Sequence, residues 1–209
     1  MESTCEKYFV GIINYPGCNY RSVVNSLDYM GIASHEAYTS NIDDFDALII
    51  PGVGSYRSVF EHIEKNNLRK PLIEYSKGDK PIVGICAGMQ IMFDRSEEAD
   101  GKGLSFFPGK ISKLNSIDSC IRVPQMGWSE LTATPRSNFE GYSKGVFYFS
   151  HSYGTEYTNE NFVRAFYFLN KTPVAAIVNS ANIYGFQFHP EKSSLQGLTL
   201  LSKVIKNEL

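Results

Sequence analysis

Cysteine is scarce in this chain of 209 residues: its four cysteines lie far apart, and none of them has a C-x-x-C spacing. This scarcity argues against a zinc site and a disulfide framework, so we expect no metal and a reducing, cytoplasmic location. The sequence also lacks an apolar run of membrane-spanning length. At its start, acids precede the first apolar run, and the basic and small-residue parts of a signal peptide are missing. We therefore expect no association with a membrane.

An excess of one charge is absent as well. The formal net charge is -2 and the isoelectric point is about 6.1, because acidic and basic residues are interleaved. Without a basic stripe, binding to nucleic acid is disfavoured. What the sequence does have is apolar residues, 43% of the total, which suffice at this length for one sizeable core. We predict a single domain over residues 1–209.

The first half of the chain alternates apolar runs with amphipathic segments. Residues 8–15 predict a buried strand, and Val23, Leu27 and Met30 follow at helical spacing, with Gly31 as a stop. The pattern recurs twice, with predicted strands in DALIIPG and PIVGIC and predicted helices in SVFEHIEKN and AGMQIMFDR. Such alternation predicts an α/β fold, in which helices flank a central, mostly parallel sheet.

The second half has a different character. From about residue 104 onward, strand-like runs follow one another and are separated by polar or Gly, Pro and Asn turns. They predict an additional mixed or antiparallel β region in the C-terminal half. The last segment carries Leu198, Leu201 and Ile205 at helical spacing, which predicts a helix with its apolar face on the sheet.

Cys86 lies in the segment Gly84-Ile85-Cys86-Ala87-Gly88, between a predicted strand and a predicted helix. In this context G-x-C-x-G has the form of a nucleophile elbow, where flanking glycines allow a strained backbone at the nucleophile. Backbone N–H groups at the start of the helix would favour a thiolate and could receive an oxyanion. The alternative is a small core cysteine beside glycines that permit close packing. The motif alone does not decide between the two.

A cysteine nucleophile needs a base for protons and a third group that orients the base. Of the four histidines, His35 and His62 lie in polar stretches and are interpreted as surface residues, while His151 ends an apolar strand where it could line a site. His189 has Glu191 two positions on, and in extended backbone both side chains project to the same side. This spacing suits a base and its orienter. A solvated turn before the last helix is the alternative.

The segment IIPGVGSY, residues 49–56, ends a predicted strand in a turn with Gly52 and Gly54. Two glycines permit backbone geometries that are closed to other residues, so that an N–H group of the turn could face a developing oxyanion. A tight turn without a catalytic role is equally consistent with the sequence.

Several separated segments together resemble the class I (triad) glutamine amidotransferases. The elbow with its glutamine, GICAGMQ, and the segment HPE are specific to the class. PGVG, MGW, HSY and HPEKS point further, to the glutaminase subunits of imidazole glycerol phosphate synthases. Together with NYPGCNYRSV and GLSFFPGKI, these segments extend over nearly the full length. The resemblance implies the class I fold and an enzyme without a cofactor.

The resemblance also implies a Cys-His-Glu triad of Cys86, His189 and Glu191. In the family, the cysteine attacks the side-chain amide of glutamine, and water hydrolyses the resulting thioester to glutamate while ammonia is released. The positions that match the family's oxyanion donors are Ala87 and the turn at Gly52 and Val53. The positions that match its substrate-binding residues are Gln90, Glu98, Ser150, His151, Ser152 and Tyr153.

In the family, ammonia passes to a (β/α)8 cyclase that forms a heterodimer with the glutaminase. The cyclase makes imidazole glycerol phosphate and aminoimidazole carboxamide ribonucleotide in histidine biosynthesis. The positions that match the family's partner-facing residues are Trp128, Tyr148 and Lys192. This division of labour agrees with a chain that shows no nucleotide-phosphate loop.

The sequence departs from the family pattern at four positions, none of them in the triad. Asn14 stands where Asp is usual, Gln125 where His is usual, Ser129 where Asn is usual, and Ala87 where Leu is common. The departures concern the implied partner face and the NYPGC loop. These departures leave open a paralogous glutaminase that feeds a related barrel, for instance for an amidino sugar of a surface polysaccharide. A non-catalytic regulatory relative is a further alternative, and the intact triad residues argue against it.

Overall fold

The computed structural model describes residues 8–135, 137–157 and 161–209, so that Cys5 lies outside the described residues. In these ranges the helices are α1 (Tyr20–Tyr29), α2 (Tyr56–Lys65), α3 (Arg69–Tyr75), α4 (Ala87–Gln90), α5 (Leu114–Ile117) and α6 (Ser194–Ile205). None of the helices in the described ranges has the length and apolarity that crossing a membrane requires.

The strands of the first half, β1 to β5, have four residues each, and the later strands range from two to nine residues. They are β1 (Phe9–Ile12), β2 (Ala33–Glu36), β3 (Ala47–Ile50), β4 (Ile82–Ile85), β5 (Phe93–Ser96), β6 (Phe107–Lys113), β7 (Gln125–Glu130), β8 (Thr132–Ala133), β9 (Val146–His151), β10 (Tyr153–Gly154), β11 (Val163–Leu169), β12 (Thr172–Ser180) and β13 (Ile183–Phe186).

Eight strands form one sheet in the order β2-β1-β3-β4-β13-β12-β11-β8. Neighbours from β2 to β13 are parallel, and those from β13 to β8 are antiparallel. This confirms the predicted α/β fold with a mostly parallel sheet and an antiparallel region in the second half. Strands β3 and β4 are buried along their whole length, as their continuous apolar sequences indicate. The strands β10, β6 and β5 form a smaller sheet, and β7 pairs with β9.

Apolar side chains cover both faces of the large sheet. Along β3, Leu48 and Ile50 belong to a core with residues of α2 and α3, whereas Ile49 belongs to a second core with residues of α1 and α6. Successive side chains of a strand project to opposite faces, so a fully apolar strand supplies both cores. The resulting three layers bury the central parallel strands, while the edge strand β2 is only partly buried.

The helices at the two ends of the chain agree with their predicted spacing. Val23 and Leu27 of α1 are buried, and Gly31 beyond its end has a φ of 70°. This left-handed backbone, which costs glycine little, ends the helix where the sequence predicts it. In α6, Leu201 and Ile205 of the predicted face are buried, whereas Leu198 is only half-buried. Each helix therefore contributes one apolar face to the same core.

The predicted helix in AGMQIMFDR is wrong beyond its first turn. Helix α4 ends at Gln90, and Phe93 begins strand β5, which pairs with β6. The residues Ile91, Met92 and Phe93 are all fully buried. Three consecutive buried side chains do not fit an amphipathic helix, because such a helix exposes one face to solvent. The apolar residues of this segment are therefore explained by complete burial and not by the apolar face of a helix.

Candidate active site

The topology brings Cys86 and His189 to one edge of the sheet. Strands β4 and β13 are parallel neighbours, and Ile85 lies opposite Phe186 in their register. The segments that follow these two strands therefore emerge side by side, although they are far apart in sequence. Strand β3, on the other side of β4, ends at Ile50 and leads into the PGVG turn at the same edge. Ligand sites of α/β sheets commonly lie outside the carboxyl ends of the strands.

Cys86 occupies a strained position between β4 and α4. Its φ of 52° and ψ of -108° lie in a region that costs a non-glycine residue about 1–3 kcal/mol. Both glycines of the motif are required by close contacts. A Cβ atom on Gly84 would collide with the carbonyl oxygen of Gly88, and one on Gly88 would collide with that of Ile50. The backbone at Cys86 thus has the sharp turn that the elbow motif predicts.

His189 and Glu191 form a fully buried pair. The Nδ1 atom of His189 lies 2.8 Å from Oε1 of Glu191, and it donates because an ionised carboxylate only accepts. The sequence predicted extended backbone here, but Pro190–Lys192 form a single 3-10 turn that brings the carboxylate back to the ring. The other ring nitrogen, Nε2, is buried and has no hydrogen-bond partner among the described residues. It is therefore the nitrogen left free for proton transfer.

The electrostatics of this pair favour a charged imidazole. Burial lowers the pKa of His189, but its interactions with Cys86 and Glu191 outweigh burial and raise the pKa to about 10. Burial also raises the pKa of Glu191, and the hydrogen bonds from His189 and Asn19 more than offset it, so that the pKa lies below its ordinary value. Both groups thus carry charge at neutral pH, and the His189 side chain holds a proton next to the sulfur.

Asn19 is a site residue that the sequence did not reveal. Its Nδ2 atom donates to Oε1 of Glu191 at 3.0 Å, the oxygen that also accepts from His189. An asparagine just before a helix ordinarily predicts an N-cap. Asn19 does precede α1, but its side chain makes no capping hydrogen bond. Asn19 lies in the segment NYPGCNYRSV, but no spacing in that segment indicates a contact with Glu191.

The PGVG turn packs directly against the start of α4. A Cβ atom on Gly52 would lie 2.6 Å from the backbone nitrogens of both Ala87 and Gly88. Only glycine allows this approach, so that the predicted oxyanion donors Gly52 and Ala87 are neighbours. The side chain of Val53 is largely exposed. Tyr15 ties the first loop to this turn, since its hydroxyl donates to the carbonyl of Pro51 at 2.8 Å.

The predicted substrate residues divide into two groups. Gln90 is buried, and its Nε2 atom donates to the carbonyl of Tyr153 at 2.7 Å. The carbonyl of Ser150 accepts from the Cys86 thiol at 3.7 Å, and the backbone N–H of Gln90 donates to the Cys86 carbonyl at 3.0 Å. Glu98 instead accepts from the first backbone N–H of α2, and the carbonyl of Ser152 accepts from the backbone of α5. Among the residues that the structure describes, Glu98 and Ser152 form no hydrogen bond with Cys86, and their substrate role stays a prediction.

His151 is buried, and both of its ring nitrogens are engaged. Nδ1 lies 2.7 Å from the carbonyl of Tyr153, and because a carbonyl only accepts, Nδ1 carries the proton. Nε2 is then the acceptor, and the Tyr167 hydroxyl donates to it at 2.8 Å. Burial lowers the pKa of His151 to about 4. The imidazole is thus a neutral structural link between Tyr153 and Tyr167, and the substrate role of His151 stays a prediction.

We expect this buried histidine to make the fold sensitive to acid. An unfolded chain has a His151 pKa near 6.5, whereas the folded pKa is about 4, so the unfolded state binds the proton first as the pH falls. The contribution of the neutral His151 to the free energy of unfolding is then fully present above pH 6.5 and is lost towards pH 4. At pH 4.5 the loss is roughly 2–3 kcal/mol. Urea unfolding at pH 7 and pH 4.5 measures this loss. The loss should shrink in His151→Gln and persist in His35→Gln, which replaces an exposed histidine.

Two of the three predicted interface residues, Trp128 and Tyr148, lie on the β7–β9 pair, and Lys192 of the turn after β13 lies beside them. Trp128 faces Tyr148 across the two strands, with ring centroids 5.8 Å apart, and Lys192 Nζ lies 6.0 Å from the Tyr148 ring. Met126 and Val146 on the same strands are also exposed. We call these five residues the hairpin patch. Its strand β9 reaches the site, because the Tyr148 carbonyl accepts from the backbone N–H of His189 at 2.9 Å.

A cysteine elbow beside a buried His-Glu pair at this edge of an α/β sheet is the arrangement of class I glutamine amidotransferases. Residues 18–206 match the family model described as glutamine amidotransferase class-I. The chain belongs to this family of enzymes.

Within the family, the chain is similar to named subunits of one enzyme. It is 36% identical over 200 residues to imidazole glycerol phosphate synthase subunit HisH of Trichodesmium erythraeum, covering 94% of this chain and 93% of that protein. It is 38% identical over 198 residues to the HisH subunit of Bacillus thuringiensis, covering 92% of this chain and 91% of that protein.

Solved structures support the fold. One, described as a glutamine amidotransferase, superimposes with a TM-score of 0.74 at 18% identity and covers 95% of this chain and 98% of that chain. The structure of PurLQS from Thermotoga maritima gives a TM-score of 0.72 at 21% identity, with 96% and 98% covered. At these identities the likeness concerns the fold alone, and it confirms the predicted class I architecture.

Proposed function

We propose that this chain is the glutaminase subunit of an imidazole glycerol phosphate synthase, which supplies ammonia for histidine biosynthesis. The observation that carries the proposal is the strained Cys86 next to the buried pair of His189 and Glu191. The similarity to HisH subunits over more than nine-tenths of the chain supports the choice of pathway.

In the proposed mechanism, the Cys86 thiolate attacks the side-chain amide carbon of glutamine. The oxyanion that forms is stabilised by the Ala87 N–H and a donor from the Gly52 turn. His189 gives the proton on Nε2 to the departing nitrogen, the C–N bond breaks, and ammonia leaves a glutamyl thioester. His189 then accepts a proton from the attacking water, which releases glutamate and restores the thiolate. Glu191 orients the ring and stabilises its charge.

We further propose that ammonia passes to a (β/α)8 cyclase docked on the hairpin patch. Trp128 is 54% exposed at the patch and Met126 is 62% exposed, and aromatic and methionine side chains are enriched in protein interfaces. The patch is joined to His189 through the backbone of β9. Docking there would place a partner next to the site where ammonia forms, as expected for a heterodimer in the cytoplasm.

Co-purification with the cyclase tests this function. We expect the isolated chain to hydrolyse glutamine slowly, and the complex with the cyclase and its ribonucleotide acceptor to be at least roughly tenfold faster, since binding shifts the site towards an active state. Full activity of the isolated chain would contradict partner dependence. Acceleration by an amidino-sugar precursor and its own barrel would identify the paralogous glutaminase. Absence of hydrolysis under all conditions would identify a regulatory relative.

The docking surface has a matched control. Trp128→Ala should weaken binding of the cyclase by roughly tenfold or more, because a central aromatic anchor is lost. Phe168→Ala removes an aromatic side chain of similar exposure, 55%, from β11. Tyr167 of this strand stacks on Phe149 of β9, so Phe168 projects from the opposite face of the sheet. We expect its dissociation constant, measured by calorimetry, to equal that of the wild type. Equal weakening by both variants would show that the hairpin patch is not the docking surface.

A further inference from the structure

Gln187 is a fully buried glutamine that has no part in the mechanism above. It follows β13 at the edge of the sheet that carries Cys86 and His189, and its exposed fraction is 0%. Its Nε2 atom lies 3.7 Å from the sulfur of Cys86, which is within hydrogen-bond distance for sulfur. Burying an amide costs free energy unless its nitrogen and oxygen are hydrogen-bonded. The orientation of the Gln187 side chain is therefore set by the partners of these two atoms.

The orientation of this amide follows from its neighbours. The carbonyl of Tyr153 only accepts, and Gln90 Nε2 lies 2.7 Å from it, so the nitrogen end of Gln90 must face that carbonyl. The second N–H of Gln90 points to Gln187 Oε1 at 3.2 Å. With its oxygen engaged there, Gln187 directs its nitrogen at the sulfur. His151 Nδ1 also donates to Tyr153 and fixes the far end of this chain of hydrogen bonds.

The Cys86 sulfur therefore has two partners with opposite demands. The Ser150 carbonyl, 3.7 Å away, only accepts and pairs with a protonated thiol. The Gln187 amide only donates in this direction and pairs best with a thiolate. A hydrogen bond that is made to the charged form of a group favours that form. The Gln187 amide thus favours the thiolate, whereas the Ser150 carbonyl favours the protonated thiol.

We propose that Gln187 is a further catalytic residue, whose side-chain amide stabilises the Cys86 thiolate while Gln90 and His151 act as positioning residues. The inference rests on the proposed function, because it takes Cys86 as the nucleophile. The Cys86 thiolate is then stabilised by two groups, the Gln187 amide and the imidazolium of His189. No bond is formed or broken at Gln187 during the reaction.

The test is the pH dependence of Cys86 alkylation by iodoacetamide, followed on the full chain by mass spectrometry of the Cys86 peptide. Gln187→Leu removes the donor, and we expect the pH of half-maximal alkylation rate to rise by roughly one unit. Gln187→Glu keeps an acceptor for Gln90 but turns an anionic oxygen towards the sulfur, so its midpoint should rise further. Gln187→Asn keeps the amide but withdraws it from the sulfur, and it should raise the midpoint with the smallest change in packing.

Asn182 offers a matched control at the other end of the same strand. It is also buried, and its Nδ2 atom donates to the Lys80 carbonyl at 2.8 Å, far from the sulfur. Asn182→Leu should lower the melting temperature and leave the alkylation midpoint unchanged. An equal rise of the midpoint in this control would show that Gln187 acts only through general stability.

A measurement on the wild-type chain avoids any failure of the variants to fold. The side-chain amide ¹⁵N resonance of Gln187 should move with pH at the midpoint found for Cys86 alkylation. An unchanged resonance, or a midpoint that is unchanged in every folded Gln187 variant, overturns the inference. The proposed function fails separately, through absence of glutamine hydrolysis by the wild-type chain with its cyclase.

Discussion

Cys86→Ser abolishes glutamine-dependent turnover, with an expected loss of at least roughly a thousandfold in kcat/KM. A serine hydroxyl at this position keeps the polar contacts of the side chain but is a far weaker nucleophile than a thiolate. The fold should be retained, since serine is close to cysteine in size and the strained backbone is supported by Gly84 and Gly88. Steady-state assays of glutamate release by the complex with the cyclase measure the effect.

Free ammonia separates loss of the nucleophile from loss of the complex. Added ammonia bypasses glutamine hydrolysis, so the Cys86→Ser complex should still support the cyclase reaction at the wild-type rate. Cys120→Ser is the matched control, because Cys120 is an exposed free cysteine away from the site. Its glutamine-dependent activity should equal that of the wild type. Retained glutamine hydrolysis in Cys86→Ser would exclude the thioester mechanism.

His189→Ala is expected to reduce glutamine hydrolysis by roughly a thousandfold, because it removes the proton donor for ammonia and the base for water. The same change leaves Glu191 as a fully buried carboxylate with Asn19 as its remaining side-chain partner. Breaking a buried ion pair costs about 3–5 kcal/mol, so the variant should fold but unfold at lower urea concentration. The folded pKa of His189 is raised to about 10. The difference in the free energy of unfolding between wild type and His189→Ala should therefore be largest below pH 6.5 and should decline as the pH rises through 10.

A second substitution distinguishes the two effects of His189→Ala. In the double variant with Glu191→Gln, the carboxylate is replaced by a neutral amide of the same shape that still offers an oxygen to Asn19. We expect urea unfolding to recover part of the lost stability, while glutaminase activity stays as low as in the single variant. Recovery of activity together with stability would show that His189 acts by supporting the structure rather than by transferring protons.

The sequence predicted the parts of the site whose constraints are local. The elbow at Cys86 was visible because the turn admits only glycine at Gly84 and Gly88, and those requirements leave a fixed spacing. The proximity of His189 and Glu191 was visible because the two residues are nearly adjacent in sequence. The class I fold followed from alternating strand and helix patterns, together with the family resemblance. Local constraints of this kind determine the residues of short segments and can therefore be predicted from the sequence.

Contacts between distant segments could not be predicted in the same way. Asn19 and Glu191 meet because α1 and the turn after β13 share an edge of the sheet, and Gln187 meets Cys86 because β13 lies beside β4. Neither contact leaves a spacing in the sequence. The length of α4 was overestimated for a related reason, since complete burial around Ile91 imitates a helical pattern.

The pairing of β4 with β13 has a consequence for the order in which activity arises during folding. Cys86 and His189 follow two strands that are separated by most of the second half of the chain, and their alignment exists only after Ile85 lies opposite Phe186. Pairing between strands so distant in sequence is slow, because a long loop must close first. We expect refolding chains to regain helical circular dichroism before they hydrolyse any glutamine. A partly folded chain is thereby kept from releasing ammonia.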